Sequence, residues 1–276
     1  MINITNLTFG YKKNKILFNN LNLKLEAGNI YGLFGMNGAG KTTLLKHISG
    51  LLFPQEGECL VFNQPSGDRT PEMLSNIFII PEEFELPAMS AETYAKIHAP
   101  FYPRFDHFEL KKHLEEFEVD TQKPLTTLSY GQKKKFLIAF GLAANTSLLL
   151  LDEPTNGLDI PSKSQFRRII AASTNGDRCL LISTHQVRDL ASIIDHAIIV
   201  DNGGIIFQKS VYEIADAFTF GKIKDGDVSD VVYSEEILGG KAAIRRNSGN
   251  DTQVDLELLF NAVIHNPATI NNEFKS

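Results

Sequence analysis

The chain has 276 residues, 43% hydrophobic and 22% charged, enough apolar material for one large domain or two small ones. Its formal net charge of −6 argues against a dedicated nucleic-acid binder, which carries a basic face. The only cysteines, Cys59 and Cys179, make neither a disulfide framework nor a zinc site, and fit a reducing cytosol.

The opening stretch "MINITNLTFGYKK" lacks the apolar segment of a signal peptide, and no apolar run approaches the ~18 residues needed to span a bilayer. Any service at a membrane is therefore expected to pass through a partner. No internal repeat or low-complexity segment stands out.

In chain order, "INITNLTF" and "LNLKLEAG" alternate apolar and polar residues and predict strands within 1–35. "IYGLF" (30–34) predicts a short buried strand, and "KTTLLKHISGLL" a helix with Gly50 for a turn near its end. "NIFIIPEE" predicts another strand, stopped at Pro81. Between about 84 and 145 the texture turns helical, in "AETYAKIHAPFY", in "HFELKKHLEEFEV" and in the run after Gly131, which reads as an inserted helical subdomain. "SLLLLDEP" and "CLLISTH" are continuous apolar runs, the mark of parallel strands covered on both faces. "HAIIVDNGGIIFQ" (196–208) predicts a hairpin turning at Asn202, Gly203 and Gly204. After Gly221 the chain grows polar, so 221–276 reads as a small C-terminal extension ending in a helix near "VDLELLFNAVI".

"GMNGAGKT" (35–42) matches G-x-x-x-x-G-K-[ST] between a strand and a helix, the setting a phosphate cradle needs. The backbone of Gly35, Asn37, Gly38, Ala39, Gly40 and Thr43 would wrap phosphates. Lys41 would supply a point charge, and the Thr42 hydroxyl a ligand for Mg²⁺. "LLLLDEP" adds Asp152, placed to hold the Mg²⁺ shell, and Glu153, placed to polarise an attacking water. A second helix start, "TTLSYGQKKKFLIAF" (126–140), has the layout that holds an anion on free N–H groups. Two cradles in one chain need a reason. Glu109 and His113, four apart on a helix, lack a third metal ligand, and Lys133–Lys135 reads as a solvated helix face.

"GMNGAGKTT", "LSYGQ", "LLLLDEP", "NGLD" and "STH", in this order, resemble the ATP-binding-cassette (ABC) ATPases, specifically the nucleotide-binding subunit of a bacterial ABC transporter. The resemblance covers about residues 1–220. It implies an α/β fold: a P-loop NTPase core with a mostly parallel sheet, an antiparallel β subdomain and an inserted helical subdomain. It also implies ATP and Mg²⁺ as cofactors, a second ATPase subunit (a homodimer) and integral-membrane permease chains as partners, and no nucleic acid. The subunit would sit in the cytoplasm, on the inner face of the membrane through the permease.

The second cradle gains a purpose from the resemblance. Two subunits pack head to tail, and Ser129, Gly131 and Gln132 of one chain contact the ATP held by the glycine loop of the other. By the same resemblance, Tyr11 stacks on adenine, Asp159 belongs to the loop linking the two sites, and His185 reads the γ-phosphate. The segment "FYPRFD" (101–106) resembles export-type cassettes whose permease is a separate chain.

Two residues depart from the family pattern. Tyr130 stands where Gly is common, and Glu82 where a Gln usually senses Mg²⁺ and the lytic water. Glu82 is therefore both a catalytic and a metal-ligand candidate. The competing function is a soluble cassette acting on ribosomes or DNA, which the single cassette and the lack of sustained heptads oppose. An inactive regulatory cassette is opposed by Glu153 and His185.

Overall fold

The computed structural model describes residues 1–12, 15–173, 176–223, 230–250 and 252–274. Strands β1 (Ile2–Phe9) and β2 (Phe18–Leu25) pair antiparallel, with Ile2 opposite Leu25. Their alternation turns Ile2, Ile4, Leu21, Leu23 and Leu25 inward. β3 (Ile30–Phe34) is buried along its whole length and leads through the glycine loop into helix α1 (Lys41–Ile48). β4 (Glu56–Val61) and β5 (Gln64–Pro65) complete an antiparallel sheet ordered β2-β1-β4-β5. β4 carries no strand signal in the sequence: its first half is exposed and polar, so no half-buried alternation announces it.

After α2 (Pro71–Leu74) comes β6 (Ile77–Ile80), which stops just before Pro81. Three helices follow, α3 (Ala91–His98), α4 (His107–Glu116) and α5 (Tyr130–Ala143). Ser90 and Asp106 cap the first two through their side chains. α5 is different in kind. From Lys134 to Ala143 every residue is buried, so it runs through the interior instead of lying on it.

β7 (Leu148–Asp152), α6 (Ile160–Ala172), β8 (Cys179–Thr184), β9 (His196–Asp201) and β10 (Gly204–Ser210) complete the central sheet. Its order is β10-β9-β3-β8-β7-β6, parallel from β9 to β6, with β10 antiparallel on the edge as a hairpin partner of β9. The apolar runs read as buried parallel strands occupy its middle. This α/β architecture, an antiparallel sheet beside a mostly parallel one, is the one the sequence resemblance implies.

The chain closes with α7 (Val211–Ala217), β11 (Phe218–Ile223), β12 (Val231–Ile237), β13 (Gly240–Arg246), α8 (Leu256–His265) and α9 (Pro267–Asn272). The strands form a third sheet, ordered β11-β13-β12. β11 already starts at Phe218, ahead of the change in composition at Gly221. Leu256, Leu258, Leu259, Ala262 and Val263 of α8 share one core with Leu180 and Ile182 of β8. The Arg188 guanidinium also reaches Glu257.

Parallel register brings the C-terminal ends of three central strands together: Phe34 of β3 lies opposite Thr184 of β8, and Asp152 of β7 opposite Ser183. In open α/β sheets that edge is where ligands bind.

Candidate functional site

A cavity of about 800 Å³ opens at this edge. Its wall includes Asn37, Gly38, Gly40, Lys41, Thr42 and Thr43 of the glycine loop, and Glu82, Glu153 and His185 from three other segments. Gly40 takes φ of 104° at the N-cap of α1, and a Cβ there would stand 2.6 Å from the Phe18 ring. A side chain fits neither the backbone nor the space, so the loop needs glycine here. Lys41, Thr42 and Thr43 of the first turn of α1 line the cavity, and the N–H groups of a helix start lack partners within the helix, a natural anion site.

Lys41 is buried at 7% exposure and donates to the carbonyl of Gly35 at 2.8 Å. Its Nζ also lies 3.5 Å from Oε1 of Glu153, itself buried, and the same Oε1 is 3.0 Å from Nδ1 of His185. The second carboxylate oxygen, Oε2, is buried with no partner. One oxygen of the carboxylate is thus anchored, and the other keeps its lone pairs unused. That suits a general base, which must be oriented yet keep a lone pair available.

Glu153 has an uncommon backbone, φ 45°, in the left-handed region. Such a non-glycine residue costs on the order of 1–3 kcal/mol and persists where its surroundings over-determine it. They do so here. Its N–H donates to the carbonyl of Ser183 at 3.1 Å and to Ser183 Oγ at 3.2 Å. Its carbonyl accepts from the N–H of Asn156 at 3.2 Å and from Nζ of Lys134 at 2.8 Å. The Ser183 hydroxyl in turn donates to Oδ1 of Asp152 at 2.5 Å, fixing that buried carboxylate.

Glu82 lines the cavity, and its Oε1 accepts from Nδ2 of Asn156 at 3.0 Å. Gln186 donates to Oδ1 of the same Asn156 at 3.2 Å. Tyr11, 62% exposed, stands at the rim with its hydroxyl 3.0 Å from Oγ1 of Thr43 and its ring edge-on to Phe9.

Ser129, Gly131, Gln132 and Asp159 stand outside this cavity wall. Ser129 is exposed and caps α5, accepting from the N–H of Gln132 at 3.3 Å. Asp159 is exposed and caps α6, accepting from the N–H of Ser162 at 2.9 Å. The Gln132 side chain is turned to the carbonyl of Glu118 at 3.2 Å. Within one chain the two cradles are separate.

The reading of Lys133–Lys135 as a solvated face is wrong. Lys134 is fully buried and Lys135 is 7% exposed. Lys134 donates to two loop carbonyls, those of Glu153 and Asn156 (3.1 Å), which is how a charge survives inside. Burial pushes its ammonium down to about 8, against the pull of Glu82, Glu153 and Asp152. Lysine in a run of three gives no sign of which member turns inward, so the signal was absent. Asn156 and Ser183 were also missed as site residues; "NGLD" and "LLIST" held them in plain view. Glu109 lies 3.4 Å from His113, with Glu116 at 3.7 Å from the other ring nitrogen, a polar cluster along one helix.

The description "ABC transporter" fits residues 18–156, half of the chain, in a family-model match. The chain belongs to the ABC transporter family. Within the ABC transporter family it is an ATP-binding and ATP-hydrolysing subunit. Among its relatives, the SkfA peptide export ATP-binding protein SkfE of Bacillus subtilis is 30% identical over 67% of this chain and 80% of that protein. The bacitracin transport ATP-binding protein BcrA of Bacillus licheniformis is 30% identical over 75% of this chain and 68% of that protein. Among solved structures, an ATP-binding subunit of an ABC transporter superposes with a TM-score of 0.69 at 23% identity, covering 78% of this chain and 91% of that one. A dimeric ATP-binding cassette, MJ0796 bound to ADP and Pi, gives 0.64 at 24% identity, covering 76% and 98%. These last two likenesses concern the fold.

Proposed function

We propose that two copies of this chain close head to tail around two ATP molecules and thereby drive a separate membrane permease, in the export direction. The observation that carries this reading is the separation of the two cradles. Lys41 and Glu153 share one cavity wall, whereas Ser129 faces solvent outside it, available to a second copy. A two-fold pair then makes two identical sites, each from one glycine loop and one Ser129 face.

In each site the residues 37–43 bind phosphate, Tyr11 stacks on the base, and His185 together with Lys41 orients Glu153. Glu153 accepts a proton from water at its free oxygen. Mg²⁺ supplies charge neutralisation at the phosphates when bound, with Thr42, Asp152 and Glu82 as its protein ligands. Among the described residues no group of three or more His, Cys, Asp or Glu side chains is arranged to hold a metal alone. That suits Mg²⁺, which takes one or two carboxylates and completes its shell with phosphate and water.

Export is supported by a relative named for peptide export. No helix of the described residues is long and apolar enough to cross a membrane, so membrane attachment would pass through the permease, on its cytoplasmic side. The cassette would span about 1–220, and 221–276 an extension secured to it through α8. The test is size-exclusion chromatography of Glu153→Gln with and without ATP. The account expects a monomer alone and a dimer with ATP, since ATP favours the closed state and cleavage no longer removes it. A variant that binds ATP and stays monomeric at saturation would overturn it.

A further inference from the structure

Lys134 occupies an unusual place between the two cradles. It lies on α5, the helix capped by Ser129, yet its ammonium ends on the loop that carries Glu153. There it accounts for one of the two hydrogen bonds that hold the carbonyl of the strained Glu153, and it also grips Asn156, the residue bonded to Glu82. On its other side Nζ stands 5.2 Å from the centre of the Tyr130 ring, over its face.

Tyr130 adds the complementary half. Its ring stacks on Phe84 with centroids 5.5 Å apart and packs so closely on Gly157 that a Cβ there would be 2.9 Å away. Its hydroxyl donates to the carbonyl of Glu82. Tyr130 is thus a strut between the Ser129 turn, the 82–84 segment and the loop after Glu153, and Lys134 is its buried end. The charges facing Lys134 are the carboxylates of Glu82, Glu153 and Asp152.

We propose that Lys134 is a positioning residue, which locks the Glu153 of a chain to the Ser129 face that the same chain offers its partner and holds Glu82 through Asn156. This deepens the shared-site reading and rests on it. A shift of Glu153 in one site would then move the Ser129 turn presented to the other. The link is mechanical, through two carbonyls and one aromatic ring. Glu82 and Lys134 meet in Asn156, whose side-chain amide donates to the one and whose carbonyl accepts from the other.

The test is a double-mutant cycle on steady-state ATP hydrolysis with Lys134→Met, Glu82→Gln and the pair. Lys134→Met is expected to lower kcat about 10- to 100-fold, the usual effect of displacing a catalytic group by a fraction of an ångström. KM should stay within about threefold, because the phosphate-binding residues are untouched. Glu82→Gln alone, which removes a carboxylate from the cavity wall, is expected to change kcat severalfold and is measured as the second corner of the cycle. The pair should exceed the product of the single effects by at least about fivefold, since residues of one charged network do not act independently. Effects that simply multiply, or a rise in KM with kcat unchanged, would overturn the inference. Thermal melting accompanies each variant. Should Lys134→Met fail to fold, Tyr130→Leu at an exposed position serves instead: kcat falls severalfold at constant KM if the strut matters, and unchanged kcat refutes it. ATP-driven dimerisation of Glu153→Gln is scored alongside. Its loss refutes the shared site itself, whereas dimers with a multiplicative cycle refute only the role of Lys134.

Discussion

Nζ of Lys41 and Oε1 of Glu153 stand 3.5 Å apart, both side chains almost wholly buried. The cation that should meet phosphate and the carboxylate that should meet water are in contact with each other. A phosphate entering the cradle would meet a cation already in contact with Glu153. Glu153→Gln should retain ATP binding and lose about 10²–10⁴-fold in turnover, the usual contribution of a general base. Single-turnover hydrolysis with labelled ATP measures it, and near-wild-type rates would place the base elsewhere.

Tyr11 offers both a ring and a hydroxyl, and the two can be separated. Tyr11→Phe gives up the half-buried bond to Thr43 and should leave ATP affinity within about threefold, the scale of one neutral hydrogen bond. Tyr11→Ala should weaken it by roughly 1–3 kcal/mol if the ring carries the stacking, by analogy with base–aromatic contacts. Fluorescent-nucleotide titration decides, and equal affinities for Ala and wild type would return the ring to packing on Phe9.

Ser183 serves two buried groups at once, the Asp152 carboxylate and the Glu153 N–H. Ser183→Ala should cost about 1.5–3 kcal/mol in unfolding free energy, because a buried charge loses its donor. Urea denaturation without nucleotide is the measurement. A loss below about 0.5 kcal/mol, the level of a neutral surface change, would show that Asp152 finds another donor.

Burial of Lys134 sets a pH dependence of stability. Its ammonium is held down to about 8 from an ordinary 10.5, so between those values the unfolded chain carries a proton that the folded chain has released. Stability rises with pH wherever the unfolded state binds more protons. The nucleotide-free protein should therefore gain stability relative to Lys134→Met as pH climbs from 8 towards 10.5, and show no such trend below 8. Parallel melting curves of the two proteins across that range are the check. Matching slopes would mean that Lys134 keeps its ordinary proton affinity.

Much of this was legible in the residues, for physical reasons. "IYGLF" becomes β3 with its predicted limits, because an unbroken apolar run fits only a strand covered on both faces. The glycine loop was readable because few side chains fit a backbone such as that of Gly40. Two things stayed hidden. β4 is a half-exposed strand with no alternation to see, and it forms because β1 offers it an edge. Lys134 looks like its neighbours in sequence; only the path of α5 through the interior decides that it turns inward. The polar composition after Gly221 also gave no sign that β11 runs through that point or that α8 packs on the main core.

The central claim is that each site takes one cradle from each chain. Lys41→Ala spoils the glycine loop and Ser129→Arg blocks the exposed turn, so a homodimer of either has two defective sites. Mixed in equal amounts, half the dimers are heterodimers, each with one intact loop facing one intact turn. The ATPase rate of that mixture is the measurement, supported by photolabelling of the Ser129→Arg chain's intact loop. The account predicts recovery of roughly a quarter of wild-type activity, from two-fold pairing statistics. A mixture as inactive as its components, with no gain in labelling, would mean that each cradle serves its own chain and would contradict it.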